Sequence, residues 1–454
     1  MDTARPVDRS HESLVADLQA KGVEYAMGTY VDVLGRAKSK MVPIDHLPNL
    51  LAGSERYTPR GVGGLGEMNA SEDECVAMPD PSTLTVLPWD KRFAWMAADL
   101  LWGGTDFWPH CPRSILKQQL ARTAERGLIF NLGVETELYC YDEKNTTGEY
   151  LEPMARSGKI RPTPAYDAES TMDAMTFLDP MVKYMNETNF GVFSFDHEGG
   201  DAQFEFDFDY APALEMCDRL VLFKLMAKQV AKDVGLAVTF MPKPYTAAWG
   251  SGAHFNMSLV EADGGKNLFC DPDGVKGWSK TAYSFVAGVL RHARAIAALA
   301  TPTVNSYKRL APRLADGTIS WSPVWVAYGD NNRSCMLRLP HNRPAIEDRA
   351  VDASANAYLT AAFILAAGLE GIDLGLDPGD PAGEELFDPK RKGSATRLPR
   401  TLIEAVDAFE ADPLTHEVFP SAFVSAYVEM KSAEWFSYHA QVTDWERDQY
   451  LHRF

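Results

Sequence analysis

Carboxylates in two short stretches are the side chains best suited to chemistry in this sequence. One stretch is Gly133-Val-Glu135-Thr-Glu137-Leu-Tyr139. The other is His197-Glu198-Gly-Gly-Asp201-Ala-Gln203-Phe-Glu205-Phe-Asp207-Phe-Asp209. From Gln203 the second stretch alternates strictly. Phe204, Phe206 and Phe208 fall on one side, and Gln203, Glu205, Asp207 and Asp209 on the other. That is the period of a half-buried strand. Glu135 and Glu137 are two apart, so in a strand they share a face. Crowded carboxylates repel and raise one another's pKa unless a cation holds them. Two such strands side by side would line a cavity with four carboxylates, one wall of a divalent-metal site.

A second group of motifs supplies nitrogen donors and cations. In Trp249-Gly250-Ser-Gly252-Ala-His254-Phe-Asn256-Met-Ser258, the glycines allow close backbone approach to a ligand, and His254, Asn256 and Ser258 alternate on one strand face. Arg309 closes Asn305-Ser-Tyr-Lys-Arg309. Arg333 and Arg338 lie in Asn331-Asn-Arg333-Ser-Cys-Met-Leu-Arg338, and Arg349 follows Glu347. Together these arginines could clamp carboxylate and phosphate oxygens bidentately. Opposite clustered acids, they suggest an anionic substrate bridged by metal. No P-loop, H-E-x-x-H or G-x-S-x-G motif occurs. Gly61 to Gly66 matches G-x-G-x-x-G, but no apolar strand leads in and no periodic helix follows.

The elements that must position these residues read as α+β. With 454 residues the chain exceeds one average domain. Strands are expected at 25–33, 36–42, 84–87 and 93–101. A helix over 112–126 then opens a second, larger domain, giving a division into 1–111 and 112–454. Further helices are expected at 168–187, 212–234, 278–300 and 353–369, and from about 418. Strands lie between them at 191–210, 236–242, 253–260, 323–328 and 333–339. Strands and helices do not alternate regularly, so a mostly antiparallel sheet with flanking helices is expected. Residues 143–166 read as a loop. The tryptophans at 89, 95, 102 and 108 read as core or interface anchors. A net charge of −19 disfavours a nucleic-acid or anionic-membrane partner. No run approaches a membrane span, and the richest, Leu359 to Ala367, reads as a buried helix. Six scattered cysteines with no C-x-x-C pair, and a polar first ten residues, fit a reduced cytoplasmic protein.

The motifs resemble those of the glutamine synthetase family over nearly the whole chain. They are Pro79-Asp80, Gly133-x-Glu-x-Glu137, His197-Glu198-x4-Gln203-x-Glu205, Thr239-Phe-Met-Pro-Lys-Pro244, Gly250-Ser-Gly-x-His254, Asn305 to Arg309, Asn332-Arg333-Ser334, and Glu347-x-Arg349 leading to Asn356-x-Tyr358. The resemblance implies a small N-terminal β-grasp domain and a larger catalytic domain with a curved sheet. It also implies a homo-dodecamer of two stacked hexameric rings with active sites between subunits. It places Glu137, Glu198 and Glu205 on one divalent ion, and Glu135, His254 and Glu347 on another. Carboxylates with one imidazole suit Mg²⁺ or Mn²⁺, two of which can neutralise a transferring phosphoryl group. Arg309, Arg349, His254 and the Gly250 backbone correspond to glutamate holders, and Arg333 and Arg338 to phosphoryl clamps. Asn256 and Ser258 fall where the family contacts ATP. The implied reaction is ATP-dependent: the γ-carboxylate of L-glutamate takes the γ-phosphoryl group, and an amine then displaces phosphate. Arg333 and Glu198 are the expected catalytic residues. Because all six metal ligands are present, an inactive ring scaffold is disfavoured.

The amine pocket departs from the family. Tyr57-Thr-Pro-Arg60 stands for a segment carrying an Asp, Trp321 for a loop Glu, and Ile160 for a Tyr ahead of a Pro-x-Pro turn. Glu198 is retained. Fewer carboxylates weaken the attraction for NH₄⁺, while an indole suits a methyl-bearing ammonium. The pattern is similar to the branch that includes γ-glutamylmethylamide synthetase, with ammonium-dependent glutamine synthesis as the alternative. Asp196, Asp201 and Glu198 are candidates for deprotonating the amine. The loop tyrosine that some bacterial members adenylylate corresponds to Phe387, which has no hydroxyl to modify.

Overall fold

The computed structural model describes residues 10–58, 71–142, 165–387 and 396–454. The glycine-dense stretch 61–66, Pro59, Arg60, Ile160 and most of the expected loop 143–166 lie outside these. Among the described residues, strands form two sheets. The principal strands of the smaller sheet are β1 (Tyr25–Val31), β2 (Ala37–Pro43), β3 (Cys75–Pro79) and β4 (Phe93–Trp102). Their order is β2-β1-β4-β3, antiparallel except for the parallel β1–β4 pair. Helix α1 (Pro112–Ala124) follows, with Pro112 in its first turn.

The larger sheet contains β5 (Leu128–Tyr141), β6 (Val192–His197), β7 (Gln203–Phe208), β8 (Ala253–Glu261), β9 (Tyr328–Asp330), β10 (Leu337–Leu339) and β11 (Ile346–Asp348). Its order is β9-β10-β11-β8-β5-β7-β6, and two short strands also pair with β5. Each of these pairs is antiparallel except β9–β10. Alternation sets which face of β7 is buried. Phe204, Phe206 and Phe208 are buried, and rings 5–7 Å apart link them to Phe177, Phe190 and Phe223. The opposite face is left for the carboxylates.

Helices α2 (Ala213–Asp233), α3 (Lys280–Ala300) and α4 (Ala357–Asp373) complete the core. Leu359 to Ala367 of α4 is buried as expected, and among the described residues no helix is long and apolar enough to cross a membrane. Trp95 and Trp108 are core residues, whereas Trp102 is partly exposed. Several element bounds differ from the sequence reading. The 168–187 helix divides at Ala174, and 191–210 folds back at Gly199-Gly200 into the β6–β7 hairpin. The helix expected from 353 starts at Ala357, because Asn356 caps it. The strand expected over 323–328 is replaced by β9. Val324 and Val326 instead bond across to Leu398 and Thr396. Helices Leu402–Ala411 and Pro413–Val418 precede the expected C-terminal helix, Ser421–His439.

One largely buried cluster ties the smaller sheet to three helices. Arg113 of α1 donates to Asp218 of α2 at 3.0 and 2.9 Å, to Asp99 of β4 at 3.1 Å and to Asp80 beyond β3 at 2.8 Å. Tyr358 of α4 also donates to Asp218. The Pro79-Asp80 motif is thus structural, remote from the carboxylate face.

Candidate active site

Register in the larger sheet assembles the site. On β5, Glu135 and Glu137 share a face. Glu205 of β7 stands opposite Glu137, and His254 of β8 opposite Glu135. On the far side of β8, Asn256 faces Glu347 of β11, and Glu347 in turn faces Arg338 of β10. The hairpin turn at Gly199-Gly200 adds Glu198. Glu137, Glu198 and Glu205 place carboxylate oxygens within 4.8 Å of one another, and Glu135, Glu205 and His254 likewise form a set.

Burial makes this grouping electrostatically unfavourable by itself. It pushes Glu137 up to about 8, with repulsion from Glu198 adding to the effect. Glu205 is driven well above the carboxylate range by burial and by Glu135, Glu137 and Glu198, and it has no hydrogen-bond or cationic partner among the described residues. Glu198 is raised by burial too. Glu135 differs. Burial pushes it up, but the hydrogen bond with His254 and the charges of Arg343 and Arg349 hold it at about 2. Burial, then Arg349, keep His254 below its ordinary value, so its imidazole is neutral and able to ligate. Hard oxygen donors with one imidazole, buried without enough counter-charge, fit divalent cations such as Mg²⁺ or Mn²⁺.

Glu347 lies deeper than the sequence suggests. Its oxygens accept from Arg338 at 2.7 Å and Arg349 at 2.6 Å, with Oε1 3.7 Å from His254 Nδ1. Glu205 joins Glu135 and His254 in a set whose ligand atoms lie within 4.8 Å of one another, and Glu347 stands beside His254.

A cavity of about 500 Å³ opens over this face. Its acidic wall is Glu135, Glu137, Glu198, Glu205, Asp196 and Asp207. Its basic wall is Arg309, Arg333, Arg338, Arg343 and Arg349. Arg333 has no side-chain partner among the described residues, leaving its guanidinium free for a ligand. Arg309 is buried and donates to the carbonyls of Ala350 and Arg349 at 2.9 and 3.1 Å. Gly250 lines the same wall. A Cβ there would sit 2.5 Å from Arg309 Cγ and 2.9 Å from Pro242 O, so only glycine fits. Asn256 and Ser258 line an adjoining cavity of about 390 Å³, which shares Glu135, Asp207 and Arg343 with the first.

The sequence reading overlooked Arg343. It bridges Glu135 Oε1 and Asn256 Oδ1, both at 2.7 Å, and so joins the two cavities. Its only sequence signal is its place four residues before Glu347. Tyr166 was overlooked as well. It lines the main cavity at φ 60°, whereas Ile160 lies outside the described residues. Trp321 lines it too, also at φ 60°, with its ring edge-on to buried Phe387 at 5.7 Å. Of the three candidates for taking the amine proton, Asp196 and Glu198 line the cavity and Asp201 does not. Burial and Glu198 push Asp196 up to about 7, and its Oδ1 has no partner.

A model of the glutamine synthetase catalytic domain matches residues 109–450. The chain belongs to the glutamine synthetase family. Among family members it is 36% identical over 448 residues to the glutamate–methylamine ligase of Methyloversatilis universalis, covering 96% of this chain and 98% of that one. It is 34% identical to a glutamine synthetase of Rhizobium leguminosarum bv. phaseoli, over 96% and 99% of the two chains. A solved structure described as a GmaS/ADP complex superposes with a TM-score of 0.89 at 36% identity, covering 96% of this chain and 99% of that one. The apo form of GmaS superposes at 0.87 and 35% identity.

Proposed function

We propose that this family member is an ATP-dependent glutamate–amine ligase whose amine is methylamine, giving γ-glutamylmethylamide, ADP and phosphate. The observation that carries the amine assignment is Trp321, an indole in the cavity wall beside Glu198 and Tyr166 where the family has a carboxylate. The similarity to a glutamate–methylamine ligase supports it. We read 1–111 as a β-grasp domain and 112–454 as the catalytic domain.

Two divalent ions, Mg²⁺ or Mn²⁺, would be held by Glu137, Glu198 and Glu205 and by Glu135 and His254, with Glu347 behind the second set. When bound they supply neutralisation of phosphate charge. The chain's own residues do the rest. Asn256 and Ser258 hold the nucleotide, and Arg343 links that cavity to the reacting one. Gly250, Arg309 and Arg349 orient glutamate so that its γ-carboxylate meets the terminal phosphate. Arg333, free of other partners, and Arg338 meet the phosphoryl oxygens as charge develops. Asp196 or Glu198 takes the proton from the ammonium at the Trp321 wall, and Trp321 with Phe387 limits the approach of water to the acyl phosphate.

Exposed apolar side chains near the C-terminus (Phe436, Trp445, Leu451 and Phe454) support assembly into the double-ring dodecamer. None of the six cysteines is in a disulfide, which supports a cytoplasmic protein. The ammonium alternative draws on the carboxylates of Asp196 and Glu198, both in the cavity. Steady-state rates with ATP, glutamate and a panel of ammonium, methylamine, ethylamine, isopropylamine and hydroxylamine decide between them. Methylamine should show the highest kcat/KM. Equal or better use of ammonium would make the protein an ordinary glutamine synthetase.

A further inference from the structure

Behind β5 lies a third cavity, of about 290 Å³. It is enclosed by the β1–β2 hairpin, α2 and the segment leading into α4. Thr136 reaches it from β5. Because Thr136 lies between Glu135 and Glu137, its side chain leaves the opposite face of the sheet. The volume is at the small end of ligand pockets, which run from ~300 Å³ upward.

Two buried polar atoms on its lining residues have no partner. Thr136 is 1% exposed and its Oγ1 makes no hydrogen bond. Asp352 is fully buried; its Oδ1 accepts from Ser354, Ser306 and Arg309 also favour its charge, and its Oδ2 has no partner at hydrogen-bond distance. Leaving such atoms unsatisfied costs about 1–3 kcal/mol each, so each calls for a ligand or a water as partner. Lys224 lines the same cavity. It donates to Ala353 O at 2.8 Å and lies 5.3 Å from the centre of the Phe240 ring, so it makes one hydrogen bond where an ammonium can make three. Lys224 and Asp352 attract each other but form no ion pair. Lys38 and Lys228 line the cavity without carboxylate partners among the described residues. Val221, Leu225 and Phe255 make an apolar side.

We infer that this cavity binds a free α-amino acid with a small apolar side chain. Its ammonium would meet Asp352, its carboxylate Lys224 with Thr136 alongside, and its side chain the apolar wall. An inorganic anion would leave Asp352 unanswered. A dicarboxylate would bring a second negative charge to it. A fatty acid lacks the cationic donor.

Calorimetric titration of the intact protein with L-leucine and L-valine tests this, with saturating L-glutamate present to fill the glutamate pocket. 4-Methylpentanoate lacks the ammonium and L-leucinamide lacks the carboxylate. One leucine or valine should bind per chain, with both comparators at least about tenfold weaker, since a hydrogen bond to a charged group is worth ~1.5–3 kcal/mol. Lys224→Met should weaken binding at least tenfold. Thr136→Val, which removes a hydroxyl that has no partner, should weaken it several-fold while leaving the unfolding transition in place. If Lys224→Met does not fold, Thr136→Val and the comparators decide alone. No binding of either amino acid, meaning a cavity filled by water alone, overturns the inference. So does binding that glutamate displaces, or binding indifferent to Thr136→Val and to loss of the ammonium or carboxylate.

Discussion

Replacing Trp321 with Ala should erode the preference for methylamine by an amount the structure bounds. The indole lines the cavity, is 45% exposed, and is backed edge-on by Phe387 at 5.7 Å. It has two effects on a methylammonium ion. Burying the methyl group is worth about 0.8 kcal/mol. Cation–π attraction at a site this exposed adds about 0.5–1 kcal/mol. The methyl term belongs to methylamine alone, whereas both amines lose the cation–π term, in unequal degree because ammonium is the more strongly hydrated. The lower bound on lost discrimination is therefore about 0.8 kcal/mol, or about fourfold. The upper bound is about 1.8 kcal/mol, or about 20-fold, since 1.4 kcal/mol is a factor of ten. The quantity to measure is the ratio of kcat/KM for methylamine to that for ammonium. General damage to the site cancels in that ratio. Trp321→Glu, which restores a carboxylate, should lower the ratio further by improving ammonium. A ratio unchanged in Trp321→Ala, or both amines losing equally, would show that the indole does not select the amine.

Three other perturbations test separate parts of the structure. Glu205→Gln removes the carboxylate common to both ligand sets, so Mn²⁺ affinity, followed by electron spin resonance titration, should fall at least about tenfold; unchanged affinity would place the metal elsewhere. Arg113→Met removes the guanidinium shared by two buried carboxylates, Asp99 and Asp218, and by the half-buried Asp80, and should cost about 3–5 kcal/mol in urea unfolding; Arg113→Lys should recover only part, because the fork is lost. His292 lies between Asp412 at 2.8 Å and Glu370 at 2.7 Å. Burial disfavours its charge, but the two carboxylates outweigh burial and raise its pKa. Its stabilisation is thus fully present below the unfolded histidine value of ~6.5 and is lost as pH rises through the folded value. The stability difference between wild type and His292→Gln should be largest near pH 6 and shrink toward high pH. A difference independent of pH would refute the charged state.

Most of the carboxylate face was legible because the period of a strand is short. Two residues fix a face, so Glu135 with Glu137 and Phe204 with Phe206 declared their sides without any tertiary information. Which strands would be neighbours was not legible from periodicity. β10 and β11 are three residues each, too short for alternation to appear, yet they set Glu347 beside β8 and Arg338 beside Glu347. The family motifs supplied that long-range pairing in advance; the residues alone did not. Arg343 escaped notice because nothing local distinguishes it from a surface arginine, and its role arises only when Pro340 to Ile346 folds back over Asn256.

The same reasoning explains how Glu347 differs from its neighbours. The family resemblance puts Glu347 on the second ion with Glu135 and His254. In the fold, the β10–β11 register brings Arg338 alongside it, and Arg349, two residues on, shares its face. Coulombic attraction from these arginines overcomes burial and holds Glu347 below the usual carboxylate range. Glu205, without any such partner, is forced up. One buried acid is thus neutralised by the protein itself, and the other is left for a cation to neutralise. We propose on this account that the affinity of a second ion would depend less on Glu347 than on Glu205, and that Glu347 would act mainly by setting the positions of Arg338 and Arg349.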